Sequence, residues 1–71
     1  MKIQYFPETD TLSIRLNRNP STESEEIAPD VVIDFDADGA VVGLEIDLAS
    51  SKVDMKQLEL QGLLIPELLS R

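Results

Sequence analysis

Apolar and polar residues alternate with period two over most of the first two thirds of the chain. Ile3 and Tyr5 alternate with Lys2 and Gln4, and Leu12, Ile14 and Leu16 alternate with Thr11, Ser13 and Arg15. Pro7-Glu8-Thr9-Asp10 lies between them, with Pro supplying a fixed φ and Asp able to bond its own backbone. These two runs predict a hairpin of strands 2–6 and 11–16. A second pair is clearer. Val31, Ile33 and Phe35 take one face against Val32, Asp34 and Asp36. Val42, Leu44, Ile46 and Leu48 then take one face against Val41, Gly43, Glu45 and Asp47. Asp38-Gly39 between two such runs is a strong hairpin signal, so strands 31–36 and 41–48 are predicted. Residues 24–28 leave room for a short irregular strand before Pro29-Asp30.

The pattern gives an α+β fold: an antiparallel β-meander of four strands with one apolar face, covered by a short C-terminal helical segment. Asp54 is a candidate cap for that segment. Residues 55–61 fit a helix by composition and a strand by the alternation Leu58-Glu59-Leu60-Gln61, and both readings stay open. Pro66 suits the first turn of a second short element. Leu58, Leu60, Leu63, Leu64, Ile65, Leu68 and Leu69 crowd more apolar surface than one short helix buries. They either fold back onto the sheet or serve as a homo-oligomer interface, a common resource of small scaffolds.

At 71 residues the chain is a single domain, 1–71, with the Leu-rich part beginning at 55. It has 14 acidic and 6 basic residues, a net charge of -8, and neither His nor Cys. Disulfides, Cys/His metal sites, thiol nucleophiles and Ser-His-Asp triads are thereby excluded. The acidic excess disfavours nucleic acid and anionic membranes and favours a basic protein partner. With no apolar leader or spanning run, the expected location is the cytoplasm. No cofactor and no catalytic group is expected.

Two acidic constellations stand out. Asp34-Phe35-Asp36-Ala37-Asp38-Gly39 with Glu45 matches the calcium-loop spacing D-x-D-x-D-G with a Glu at position twelve. Its flanks alternate as strands where a calcium loop needs helices, so a plain hairpin turn is favoured and cation binding at Asp34, Asp36, Asp38 and Glu45 is the alternative. Asp34, Asp36, Glu45 and Asp47 share the polar side of the same hairpin, either as a solvated face or as a docking surface for a basic partner. A catalytic carboxylate pair needs a cleft, for which a sheet this small has little room. Glu23, Glu25 and Glu26 read as a charged edge that discourages strand-to-strand aggregation. Arg15 is expected to pair with an acid across the sheet, and Tyr5 to belong to the core.

The run Met1-Lys2-Ile3-Gln4-Tyr5-Phe6-Pro7-Glu8-Thr9-Asp10-Thr11-Leu12-Ser13-Ile14-Arg15-Leu16 resembles the opening of the domain of unknown function 2283 family. So do Glu25-Glu26-Ile27-Ala28-Pro29-Asp30-Val31-Val32-Ile33-Asp34-Phe35-Asp36, followed by Gly39, and Val42-Gly43-Leu44-Glu45-Ile46 with Ala49-Ser50. The likeness covers about residues 1–54. It implies a small soluble prokaryotic β-meander with no established activity. Some members look paired with a toxin-like protein, which implies an antitoxin-like role. No catalytic residues carry over.

Overall fold

The computed structural model describes residues 1–63. They form five strands and one helical turn in the order β1 (Lys2–Phe6), β2 (Thr11–Arg15), β3 (Glu23–Ala28), β4 (Val31–Phe35), β5 (Val41–Asp47) and α1 (Ala49–Lys52). All strands lie in one antiparallel sheet of order β1-β2-β5-β4-β3. Three features correct the sequence expectation. There are five strands, because the segment before Pro29 pairs with β4 over Glu23–Ala28, with one irregularity between Glu26 and Ala28. The chain is not a plain meander, since β5 returns to pair with β2 and joins the two halves. The helix falls at Ala49–Lys52, ahead of the expected segment, and residues 55–61 are neither helix nor strand. The architecture is therefore mostly β. Residues 64–71, including Pro66, lie outside the described residues.

The register explains the alternation. Directly paired residues share a face, so Ile3, Ile14, Leu44 and Ile33 form one row across the sheet, and Tyr5, Leu12, Ile46 and Val31 the next. The opposite face carries the rows Lys2, Arg15, Gly43, Asp34, Ser24 and Gln4, Ser13, Glu45, Val32, Glu26. Burial is shallow on the apolar side. Val42 and Ala49 are the fully buried apolar residues among those described. Val42 owes its position to a bulge: Asp34 opposes Gly43 but Phe35 opposes Val41, which leaves Val42 as the extra residue. Its carbonyl accepts the Leu16 N–H at 2.9 Å.

The turns follow from local chemistry. Asp36-Ala37-Asp38-Gly39-Ala40 closes β4 onto β5 as a three-residue hairpin loop. The Gly39 N–H reaches the Asp36 carbonyl at 3.0 Å, and the Asp36 N–H reaches the Ala40 carbonyl at 2.9 Å. Gly39 has φ 81, the left-handed conformation that such a loop demands at its third position. Asp10 and Asp30 adopt φ 53 and 65 at the ends of their turns, a region that short polar side chains enter more readily than others. Leu48 also has φ 54. That twist breaks the strand alternation and turns the Leu48 side chain out to 52% exposure, away from the apolar row expected for it.

Candidate interaction surface

The β5 strand and its neighbours position three carboxylates on the polar face. Asp34 pairs across from Gly43, and Glu45 and Asp47 follow Gly43 on the same side of β5. Asp34 is 7% exposed, and its carboxylate accepts the Ser24 hydroxyl at 2.6 Å. Asp47 accepts the hydroxyl of its cross-strand partner Thr11 at 2.7 Å. Glu45 is half-buried between them, opposite Ser13 and Val32. Desolvation, then the charges of Asp34 and Asp47, push its carboxyl above the ordinary glutamate value, and Arg15 pulls weakly the other way. The geometry thus gathers Asp34, Glu45 and Asp47 as the alternation foretold.

Asp36 does not join them. Its carboxylate accepts the N–H groups of Asp38 at 2.9 Å and Ala40 at 3.0 Å, and the Asn19 side-chain amide at 3.3 Å. The bond from Ala40 is the chief cause holding its carboxyl below the usual range. Asp36 is a turn-closing group. The calcium pattern dissolves for the same reason: Asp34 and Glu45 stand on the sheet, Asp36 bonds the loop backbone, and Asp38 is exposed at the turn. Among the described residues no three carboxylates converge as a metal site.

Cations gather elsewhere. Lys2 and Arg15 are register partners on the polar face, and with Arg18 they line a shallow cleft beside Met1 and Asn17. Arg15 was expected to bridge to an acid. Its guanidinium instead donates to the carbonyl oxygens of Asn19 at 2.7 Å and Asn17 at 3.5 Å, bracing the loop after β2. The ion pair found among the described residues is Lys52 to Asp30, at 3.6 Å. The β3 glutamates split between faces: Glu23 and Glu25 pair with Phe35 and Ile33 on the apolar side, Glu26 with Val32 on the polar side. Leu58, Leu60 and Leu63 are exposed, while Leu64, Ile65, Leu68 and Leu69 lie outside the described residues.

Sequence reasoning missed a third constellation. The Asp10 carboxylate accepts the Tyr5 hydroxyl at 2.7 Å, and the Ser50 amide at 3.0 Å and hydroxyl at 2.6 Å. The Asp10 carbonyl also takes the Ala49 N–H at 2.9 Å. Tyr5 is thus partly exposed and bonded through its oxygen, unlike the core residue expected. The Ser50 hydroxyl, then Tyr5, hold the Asp10 carboxyl low, and the bond to Asp10 holds the Tyr5 phenol high. The trio bolts the first turn to α1. Its only hint in the sequence is an Asp at the end of a Pro-initiated turn, since Ser50 lies 40 residues away.

No helix among the described residues is long and apolar enough to cross a membrane. Comparison with curated proteins and with solved structures gives no match. The model of the family described as Protein of unknown function (DUF2283) matches residues 2–50, from the start of β1 to the Ser50 that Asp10 holds, and the chain belongs to that family.

Proposed function

We propose that this protein is a non-enzymatic cytoplasmic interaction module whose acidic face docks a basic protein partner, in the manner of an antitoxin neutralising its target. The carrying observation is the acidic field around Glu45, which Arg15 offsets only in part. Asp34, Glu45 and Asp47 share one face, desolvation and then the charges of Asp34 and Asp47 raise the Glu45 carboxyl, and no Lys or Arg among the described residues forms a salt bridge with them. A cationic partner relieves that repulsion, so the cost of gathering the charges is returned on binding. Complementary fields of this kind act chiefly on association rate and partner choice. The exposed Leu58, Leu60 and Leu63 offer apolar contact, either to this partner or to a second copy. A calcium-binding alternative at the 34–45 turn draws no support from the placement of its four carboxylates.

The test is affinity capture from the native host with the wild-type chain and with an E45Q/D47N variant. A basic partner captured in stoichiometric amount by the wild type, and released by moderate salt or by the double variant, is the expected result. Salt matters because exposed charges are screened beyond about 10 Å at 0.1 M ionic strength. Capture of no stoichiometric partner, or of one indifferent to both changes, overturns the reading.

A further inference from the structure

We propose that β1 is a docking edge for the β1 strand of a second copy of this chain, giving a two-fold dimer with one continuous ten-stranded sheet. The two edges of the sheet differ in a way that points there. At one edge β3 carries Glu23, Glu25 and Glu26 and a register shift between Glu26 and Ala28. Glutamates on both faces and a bulge are devices that stop a further strand from adding. At the other edge β1 has neither. Lys2-Ile3-Gln4-Tyr5-Phe6 is regularly paired with β2, contains no acid, Pro or Gly, and is exposed along its whole length. Among the described residues its pairing is with β2 alone, so its outward amides and carbonyls face away from the sheet unpaired. An edge of that kind is a template for strand addition.

The occupant follows from register and charge. Antiparallel pairing of β1 with itself about a two-fold axis at Gln4 sets Gln4 opposite Gln4, Ile3 opposite Tyr5, and Lys2 opposite Phe6. Ile3 and Tyr5 lie on the apolar face, where a β-branched residue against an aromatic is a favourable cross-strand pair. Lys2 and Phe6 lie on the other face, where an ammonium over a ring is also favourable. Each of these pairs occurs twice by symmetry. The two Lys2 side chains end four residues apart along the strands, about 13 Å at ~3.3 Å per residue, beyond the screening length of about 8 Å at physiological salt. The axis also keeps both apolar faces on one side. At a net charge of -8 per chain, two copies repel most at their acidic ends, and this arrangement places the cationic β1–β2 ends at the centre and both β3 strands outermost. The closed pair leaves only guarded edges, and an isologous contact ends growth at two.

Sedimentation of the whole chain tests this. The wild type is expected to reach a mass twice its 7.9 kDa at high concentration. Gln4 sits on the axis, so Q4K or Q4E alone sets like charges opposite each other and raises the dimer Kd about fivefold. An equimolar mixture of Q4K and Q4E restores dimers at least as tight as the wild type, a rescue that a merely structural role of Gln4 does not produce. Hydrogen exchange at residues 2–6 should slow with rising protein concentration. A wild-type monomer at NMR concentrations overturns the proposal. So do a dimer indifferent to Q4K and Q4E, one lost in an L58D/L60D variant while β1 exchange is unchanged, and open-ended growth that E26K alone abolishes.

Discussion

Gly43 is the position where a single methyl group should be felt most sharply. It lies between β2 and β4, opposite Arg15 on one side and Asp34 on the other. A Cβ built there stands 3.0 Å from the Ile14 carbonyl oxygen, and 3.5 Å from both Arg15 Cδ and Asp34 Oδ2. The last two are ordinary contacts. The first is too close, and the atom it meets is backbone of a paired strand, so relief requires shifting the β2–β5 ladder. Overpacking of this sort costs about 1–3 kcal/mol, against a gain of about 0.4–1 kcal/mol from restricting the unfolded chain. G43A should therefore lose about 1–2 kcal/mol. At about 4–8 °C per kcal/mol for a domain of this size, Tm should fall by roughly 5–15 °C. Circular dichroism during heating and in urea measures it, with an unchanged urea slope showing that the same two states are compared. Gly39 provides the contrast, because a Cβ there meets nothing within 4 Å and only its φ of 81 resists substitution. Asn tolerates that conformation better than Ala. At Gly39 the order of stability should be Gly, Asn, Ala; at Gly43 it should be Gly, Ala, Asn. An unchanged or raised Tm for G43A, or the same order at both sites, refutes the steric account.

The raised Glu45 carboxyl gives the pH dependence a sign. Its native value lies above the 4.5 of an ordinary glutamate, so the folded chain binds this proton more readily and stability rises as pH falls from neutral toward 4.5. Asp10 and Asp36 are held below 3.8, so their contribution is complete above that value and lost as pH falls through their native values. Urea melts should show maximal stability on the acid side of neutrality, and E45Q should lose part of the rise; superimposable profiles would falsify the assignment. Asp10→Ala should release α1 from the first turn, seen as faster hydrogen exchange at Ala49 and Ser50 with the β4–β5 amides unaffected; equal protection counts against the bolt. Leu48→Asn should raise stability by up to about 1 kcal/mol, because Leu in the left-handed region is strained by about 1–2 kcal/mol and Asn less so; a lower Tm speaks against that strain.

Alternation made β1, β2, β4 and β5 legible, and with them the placement of Asp34, Glu45 and Asp47, because face assignment needs only period two. It failed where a residue acts outside that period. Asp36 sits in phase with Asp34, but its carboxylate bends back to three donors in and beside the turn, which no alternation encodes. β3 was faint because Glu23 and Glu25 occupy the apolar-side positions that would otherwise mark a strand. Strand order was the larger gap. Whether β2 meets β4 or β5 is a contact between segments some thirty residues apart, and each candidate strand offers the same apolar stripe. The helix was misplaced because Leu48, a residue that rarely takes positive φ, makes the turn.

The sheet order also decides how the two proposed surfaces relate. β1 is the strand farthest from β3, and the Asp34, Glu45 and Asp47 cluster lies on the β4–β5 side, with β2 between it and β1. A β1-to-β1 contact therefore leaves both acidic clusters open and turns them toward the same side of the joined sheet. Two identical sites on one rigid sheet bind a monovalent partner with unchanged affinity per site, but hold a dimeric or extended partner far more tightly by raising its effective concentration. Q4K separates these cases. If the partner engages one site at a time, Q4K leaves its affinity unchanged while halving the mass of the complex. If it bridges both, weakening the dimer weakens capture, and the equimolar Q4K and Q4E mixture restores it. A partner whose binding is lost in Q4K and not recovered in that mixture contacts β1 itself, which would place the acidic face and the β1 edge in one interface.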